Sequence, residues 1–150
     1  MPQSLVSIFA HIIFSTKNRY PFIDMGIEKE LYPYVTKVLQ MLDSNVLKIG
    51  GAEDHIHILC YLPRTKSISE IVEKIKTSSS QWIKTKGINY EKFFWQAGYS
   101  AFSIGQSGLQ KLINYIENQK EHHKKISFQE EVIAFLKKYK VDFDERYLWD

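Results

Sequence analysis

The residues best suited to chemistry are two histidines one position apart, His55-Ile56-His57, inside the stretch Gly50-Gly51-Ala52-Glu53-Asp54-His55-Ile56-His57-Ile58-Leu59-Cys60. The apolar run around them reads as a β-strand. Side chains alternate faces along a strand, so both imidazoles point one way while Ile56 and Ile58 point the other. Two neutral imidazoles on one face can hold a divalent metal. The plainer reading is a pair of histidines on a half-exposed strand, and H-x-H alone does not separate the two. A second stretch does more. In Tyr115-Ile116-Glu117-Asn118-Gln119-Lys120-Glu121-His122-His123, helical spacing puts Lys111, Tyr115, Gln119 and His122 on one face, away from Leu109, Leu112, Ile113 and Ile116. A phenol with a pKa of about 10 is a poor nucleophile at neutral pH. A metal polarising phosphate oxygens would let it attack a phosphodiester. The phosphotyrosine so formed stores the cleaved bond, and rejoining then needs no nucleotide cofactor.

These groups need elements to position them. Residues 5–16 are β-branched and aromatic and read as a largely buried strand, with His11 a satisfied core residue rather than a ligand. Thr16 to Pro21 is a polar, basic loop. From Asp24 to Leu42 the apolar residues recur at helical spacing, and Pro33 predicts a kink or a late start. Asn45 to Ile49 reads as a short strand, the glycine pair Gly50-Gly51 as a turn, and His55 to about Leu62 as the histidine strand. Ser67 to Lys84 is a second helix, in which Thr77-Ser78-Ser79-Ser80 offers hydroxyls for phosphate contact. Phe93 to Ile104 supplies another strand, best defined over Ala101 to Ile104. Ser107-Gly108-Leu109-Gln110 reads as a capping box opening the tyrosine helix, and Ser127-Phe128-Gln129-Glu130 as another opening a last helix. The aromatic tail, Val141 to Asp150, is too apolar to be free and is expected on the body or on a partner.

Strand, helix, strand, strand, helix, strand is the order of a ferredoxin-like (RRM-like) α+β fold. It implies a four-stranded antiparallel sheet with helices on one face, followed here by C-terminal helices that carry the tyrosine. With 150 residues the chain is expected to form a single domain, 1–150. A net charge of +3 permits a polyanionic partner without demanding one. Lys17, Arg19, Lys76 and Lys111 are the basic residues expected to meet DNA. The single cysteine, Cys60, excludes an internal disulfide and reads as a buried thiol. Neither a membrane span nor a signal peptide is visible, so the expectation is a cytoplasmic, nucleoid-associated protein.

With His55-Ile56-His57 followed by Tyr115-x-x-x-Gln119, the sequence resembles the single-tyrosine HUH transposases of the insertion-sequence-200 type, which include the REP-associated tyrosine transposases. The resemblance extends to His11-to-Arg19, Gly51-to-Leu59, Trp95-to-Ser103 and Ser127-to-Glu131. It implies that His55, His57 and Gln119 hold a divalent cation, Mg2+ or Mn2+, and that Tyr115 is the nucleophile. His122, on the same helix face, competes with Gln119 for the third position: imidazole suits transition metals, and the amide oxygen suits magnesium. The resemblance further implies single-stranded DNA with hairpin ends as substrate. It also implies a homodimer in which Tyr115 and Gln119 approach His55 and His57 across the interface; the alternative is a site built within each chain. A hairpin-binding module without transposition and a replication-type nickase are the competing functions.

Overall fold

The computed structural model describes residues 2–150. Its sheet contains β1 (Phe9–Ser15), β2 (Val46–Ala52), β3 (His55–Tyr61) and β4 (Ser100–Ile104). They lie in the order β2-β3-β1-β4, every neighbour antiparallel, as the ferredoxin-like α+β reading requires. Helices α1 (Met25–Met41) and α2 (Ile68–Ile83) connect the strands. After β4 come α3 (Leu109–Glu117), the single turn α4 (Gln119–His122) and α5 (Phe128–Lys138).

Alternation along β1 and β3 gives the sheet two apolar faces. Ala10, Ile12, Phe14, Ile56, Ile58 and Cys60 face α1 and α2, where Ile27, Leu31, Val35, Leu39, Ile71 and Ile75 complete the main core. The opposite face carries two smaller clusters. Phe9 and Leu59 meet Leu109, Leu112 and Ile116 of α3, while Ile13 and Phe102 meet Phe128, Val132 and Leu136 of α5. Each fully buried aliphatic side chain contributes about 1.5–3 kcal/mol, so both helices are fastened to the sheet by apolar contacts of their own. The strip between these clusters is where the histidines of β3 emerge.

Several local expectations change. Helix α1 starts on time: Asp24 caps it by accepting from the Ile27 amide at 2.9 Å, and Pro33 is carried in the interior. Gly50 and Gly51 are not a turn but part of β2, paired with His57 and Ile56. The reason for Gly50 lies across the sheet: a Cβ there would stand 2.4 Å from the backbone oxygen of Ile116. The glycine therefore serves the close approach of α3 to the sheet. Gly50→Val is expected to push α3 off β2, lowering thermal stability and removing activity, which melting curves and a cleavage assay would record. The Ser107 capping box does not form, because Gln106–Gly108 turn as a 3-10 helix and Gly108 stands at the N-cap without a side-chain bond. The box at Ser127 does form, with the Glu130 amide donating to Ser127 Oγ at 3.1 Å. Only Ser100–Ile104 of the expected Phe93–Ile104 strand is regular, although Trp95 still bridges Thr16. The tail packs on the body, its Leu148 and Trp149 resting against the α5 cluster and the Gly98 amide donating to the Asp150 carbonyl at 2.8 Å.

Candidate active site

His55 and His57 are completely buried on the α3–α5 side of β3. The turn that starts β3 supplies Asp54, whose carboxylate lies 2.7 Å from His55 Nδ1. A carboxylate at Nδ1 fixes the ring and leaves Nε2 to face the site. His57 is held at both nitrogens: Nδ1 lies 2.8 Å from His11 Nε2, and Nε2 lies 2.9 Å from Glu131 Oε1. His11 is thus a satisfied core histidine, as expected, but its partner is one of the site histidines. Burial, reinforced by the neighbouring His57, drives His11 down to about 3. Burial likewise takes His57 to about 4, against the upward pull of Glu131. Both rings are neutral at pH 7, the form in which imidazole offers a lone pair.

Tyr115 projects from α3 toward these rings, its centroid 6.0 Å from that of His57. Its hydroxyl donates to Glu131 Oε2 and lies 3.1 Å from His122 Nε2. Burial and then the Glu131 charge push the phenol above its ordinary range. One turn on, Gln119 is buried with Oε1 3.0 Å from His55 Nε2, and its amide nitrogen donates to Glu131 Oε2 at 3.0 Å. The helix face read from the sequence is therefore split: Lys111 stays in solvent while Tyr115 and Gln119 turn into the site.

Glu131 of α5 joins these groups. It is 1% exposed, yet hydrogen bonds from His123 and His57 outweigh its burial and hold the carboxyl well below the usual range. His123 Nε2 lies 3.1 Å from Glu131 Oε1, and this contact raises the histidine despite burial. Donor atoms of His55, His57, His123 and Glu131 all lie within 4.8 Å of one another, a set able to hold a cation. Neither Glu131 nor His123 was singled out from the sequence. The available signal was a carboxylate on the buried stripe of α5, between Phe128, Val132 and Leu136. From outside, Tyr115 is reached through a shallow depression that it shares with Asn118, Glu121, His122 and Lys125.

Of the basic residues expected at DNA, Lys17 and Lys111 are exposed, with the Lys17 ammonium 6.0 Å from the Phe94 ring centre. Arg19 donates to the Trp149 carbonyl at 2.8 Å. Lys76 is tied to the carbonyls of Gln96, Ala97 and Gly98 at 2.8, 3.2 and 2.7 Å, and burial takes its ammonium down to about 8. Ser79, one of the hydroxyls expected at phosphate, instead donates to the Ile75 carbonyl at 2.6 Å and accepts from Trp95 Nε1 at 2.9 Å. A wider cleft lies apart from Tyr115, between Lys17, Tyr20, Phe22, Tyr90, Lys92 and Phe94.

The family model described as "Transposase IS200 like" matches residues 4–119, from the start of the fold through Gln119. The chain belongs to the IS200-like transposase family. Two curated relatives, the transposases for insertion sequence element IS200 of Salmonella typhimurium and Salmonella typhi, are each 27% identical over 121 residues, covering 76% of this chain and 78% of theirs. Two solved structures share the fold. One, from Deinococcus radiodurans R1 and described as a candidate transposase, has a TM-score of 0.62 at 17% identity over 79% of this chain and 98% of its own. The other, a REP-associated tyrosine transposase bound to a REP hairpin, has a TM-score of 0.62 at 16% identity over 84% of this chain and 74% of its own. The resemblance seen in the sequence is thus confirmed, and the enzyme is a transposase. Its family match ends at Gln119, so most of α4, all of α5 and the docked tail lie beyond it. No helix among the described residues is long and apolar enough to cross a membrane.

Proposed function

We propose that this transposase cuts and rejoins single-stranded DNA at hairpin-containing ends through a 5′-phosphotyrosine on Tyr115, with a divalent cation held at His55 and His57. The observation that carries this reading is the meeting of Tyr115, Gln119 and both histidines on one buried polar network within a single chain. A phenol, two imidazoles and an amide oxygen form the set that phosphodiester attack needs. The hairpin held by the REP-associated relative supports the substrate class.

The chain's own groups have separable roles. Tyr115 Oη attacks phosphorus as its proton is released, and the 3′ oxygen leaves as a hydroxyl on taking up a proton; rejoining is the reverse attack by that 3′ hydroxyl on the phosphotyrosine. Glu131 accepts the Tyr115 proton in a hydrogen bond, which fixes the phenol's rotation about its C–O bond. Asp54 and His11 orient His55 and His57 from behind. Asn118, His122 and Lys125 border the opening through which a phosphate would reach Tyr115, and Lys125 brings positive charge to it. When bound, the cation would polarise the phosphate oxygens. The site is built in cis in this proposal, so the dimer-shared arrangement expected from the resemblance is not required to assemble it.

The test uses single-stranded DNA carrying an imperfect palindrome. Incubation with Mn2+ is expected to yield an SDS-resistant product joined to the DNA 5′ phosphate, and EDTA to prevent it. If the intact protein with metal binds the hairpin but gives no adduct, the hairpin-binding module replaces this reading.

A further inference from the structure

The part of the chain beyond the family match contributes the most deeply buried charge in the site. Glu131 is 1% exposed, and its polar neighbours are His57, His123, Gln119 and Tyr115, with His55 and His122 at 3.7 and 3.4 Å. None of them is a lysine or an arginine. An ionised carboxylate removed from water needs an opposite charge nearby, and the side chains around this one are imidazoles, an amide and a phenol. The arrangement around Oε1 suggests what would supply that charge. Nε2 of His57, His123 and His55 lie 2.9, 3.1 and 3.7 Å from this one oxygen.

We propose that Glu131 and His123 are direct ligands of the cation, completing with His55 and His57 a site of three imidazoles and one carboxylate. The inference rests on the metal-dependent reading above and extends it to residues outside the family match. A tetrahedral cation with ligand bonds of about 2.1 Å sets donors roughly 3.4 Å apart. To reach that spacing the 2.9 and 3.1 Å separations open by a few tenths of an ångström, and the longer ones, none above 4.8 Å, close. Gln119 fixes the carboxylate by donating its amide N–H to Glu131 Oε2, while its own oxygen stays beside His55 Nε2.

This donor set also selects the metal. Magnesium prefers oxygen ligands and gives up water reluctantly. Three nitrogens with a single anionic oxygen suit a first-row transition ion better than magnesium, and Mn2+ is the member of that series whose binding EPR reads directly. Each imidazole that now directs an Nε2 proton at Glu131 must carry that proton on Nδ1 to become a ligand, a change of tautomer.

Binding of Mn2+ to the protein without DNA, read from the EPR signal of the free ion, tests the proposal without reference to cleavage. Wild-type protein is expected to bind Mn2+ and to retain it against a tenfold excess of Mg2+. Glu131→Gln keeps the shape and loses the charge; it is expected to weaken Mn2+ binding by at least about tenfold. Should that variant melt too early to assay, His123→Asn, at a more accessible position, carries the test with the same expectation. Wild-type Mn2+ affinity in the folded variant, alongside lost affinity in His55→Ala, overturns the proposal and leaves the metal-dependent reading standing. No Mn2+ binding by the wild-type protein overturns both.

Discussion

Tyr115→Phe is expected to leave no covalent protein–DNA product at any metal concentration, while affinity for the hairpin stays within a few-fold. The substitution removes a single oxygen. Tyr115 is held by packing that a phenylalanine ring repeats, against Phe135 at 5.7 Å and the His57 ring at 6.0 Å. Losing the hydroxyl deprives Glu131 of one donor, but His57, His123 and Gln119 still satisfy the carboxylate. The structural cost should therefore be that of one hydrogen bond, about 1 kcal/mol, too little to unfold the chain. Removal of the attacking atom, by contrast, is not offset in the proposed mechanism, which gives the attack on phosphorus to the phenol oxygen alone. Denaturing gels of labelled hairpin DNA would show the adduct band disappear, and gel shifts of the same samples would show binding kept. An adduct that persists would assign the nucleophile to another residue.

The sequence made some of this site legible and hid the rest for physical reasons. His55 and His57 were readable as a pair because strand periodicity is two, which depends only on neighbours in the chain. Tyr115 and Gln119 were readable because one helical turn separates them. Cys60 was readable as a buried thiol from its apolar run, and it is fully buried. Glu131 was not singled out. Its neighbours Ser127 and Glu130 form a capping box that accounts for the local pattern, and its importance comes from His57, 74 residues away. Gly50 failed for a similar reason. A glycine pair between two strands signals a turn locally, whereas what demands the missing side chain is the Ile116 carbonyl on a distant helix. At Ser107 the competing structure is local: Gln106–Gly108 close a 3-10 turn before the helix, and the hydroxyl is left out of the cap. Lys76, expected at DNA, has its ammonium bonded to three carbonyls of the segment before β4, a pairing that its place in the sequence does not show.

Mixing two inactive variants, Tyr115→Phe and His57→Ala, is expected to restore nothing if, as proposed, each chain assembles its own site. The argument rests on what holds α3 in place. Leu109, Leu112 and Ile116 are buried against Phe9 and Leu59 of the same chain. Releasing three such side chains costs about 1.5–3 kcal/mol each, all to be regained on a partner if the site were shared. Helix α5 would also have to follow or be left behind, since Glu131 ties Tyr115 and Gln119 to His57 from a separate apolar cluster. The Gly105–Gly108 connection before α3 is short, and Gly108 packs so closely that a Cβ would stand 2.8 Å from Ile104 Cδ1. An exchanged helix is nevertheless the arrangement the family resemblance implies, and the mixture separates the two. In a shared-site dimer, random pairing would give a mixed species with one intact tyrosine helix facing one intact histidine pair. Activity would then return to about a quarter of the wild-type level at equal amounts of the two variants. Sites closed within one chain leave every species lacking either the hydroxyl or the imidazole. Adduct formation in the mixture at that level would overturn the cis assignment, whereas its absence in samples shown to exchange subunits, or shown to be monomeric, would confirm it.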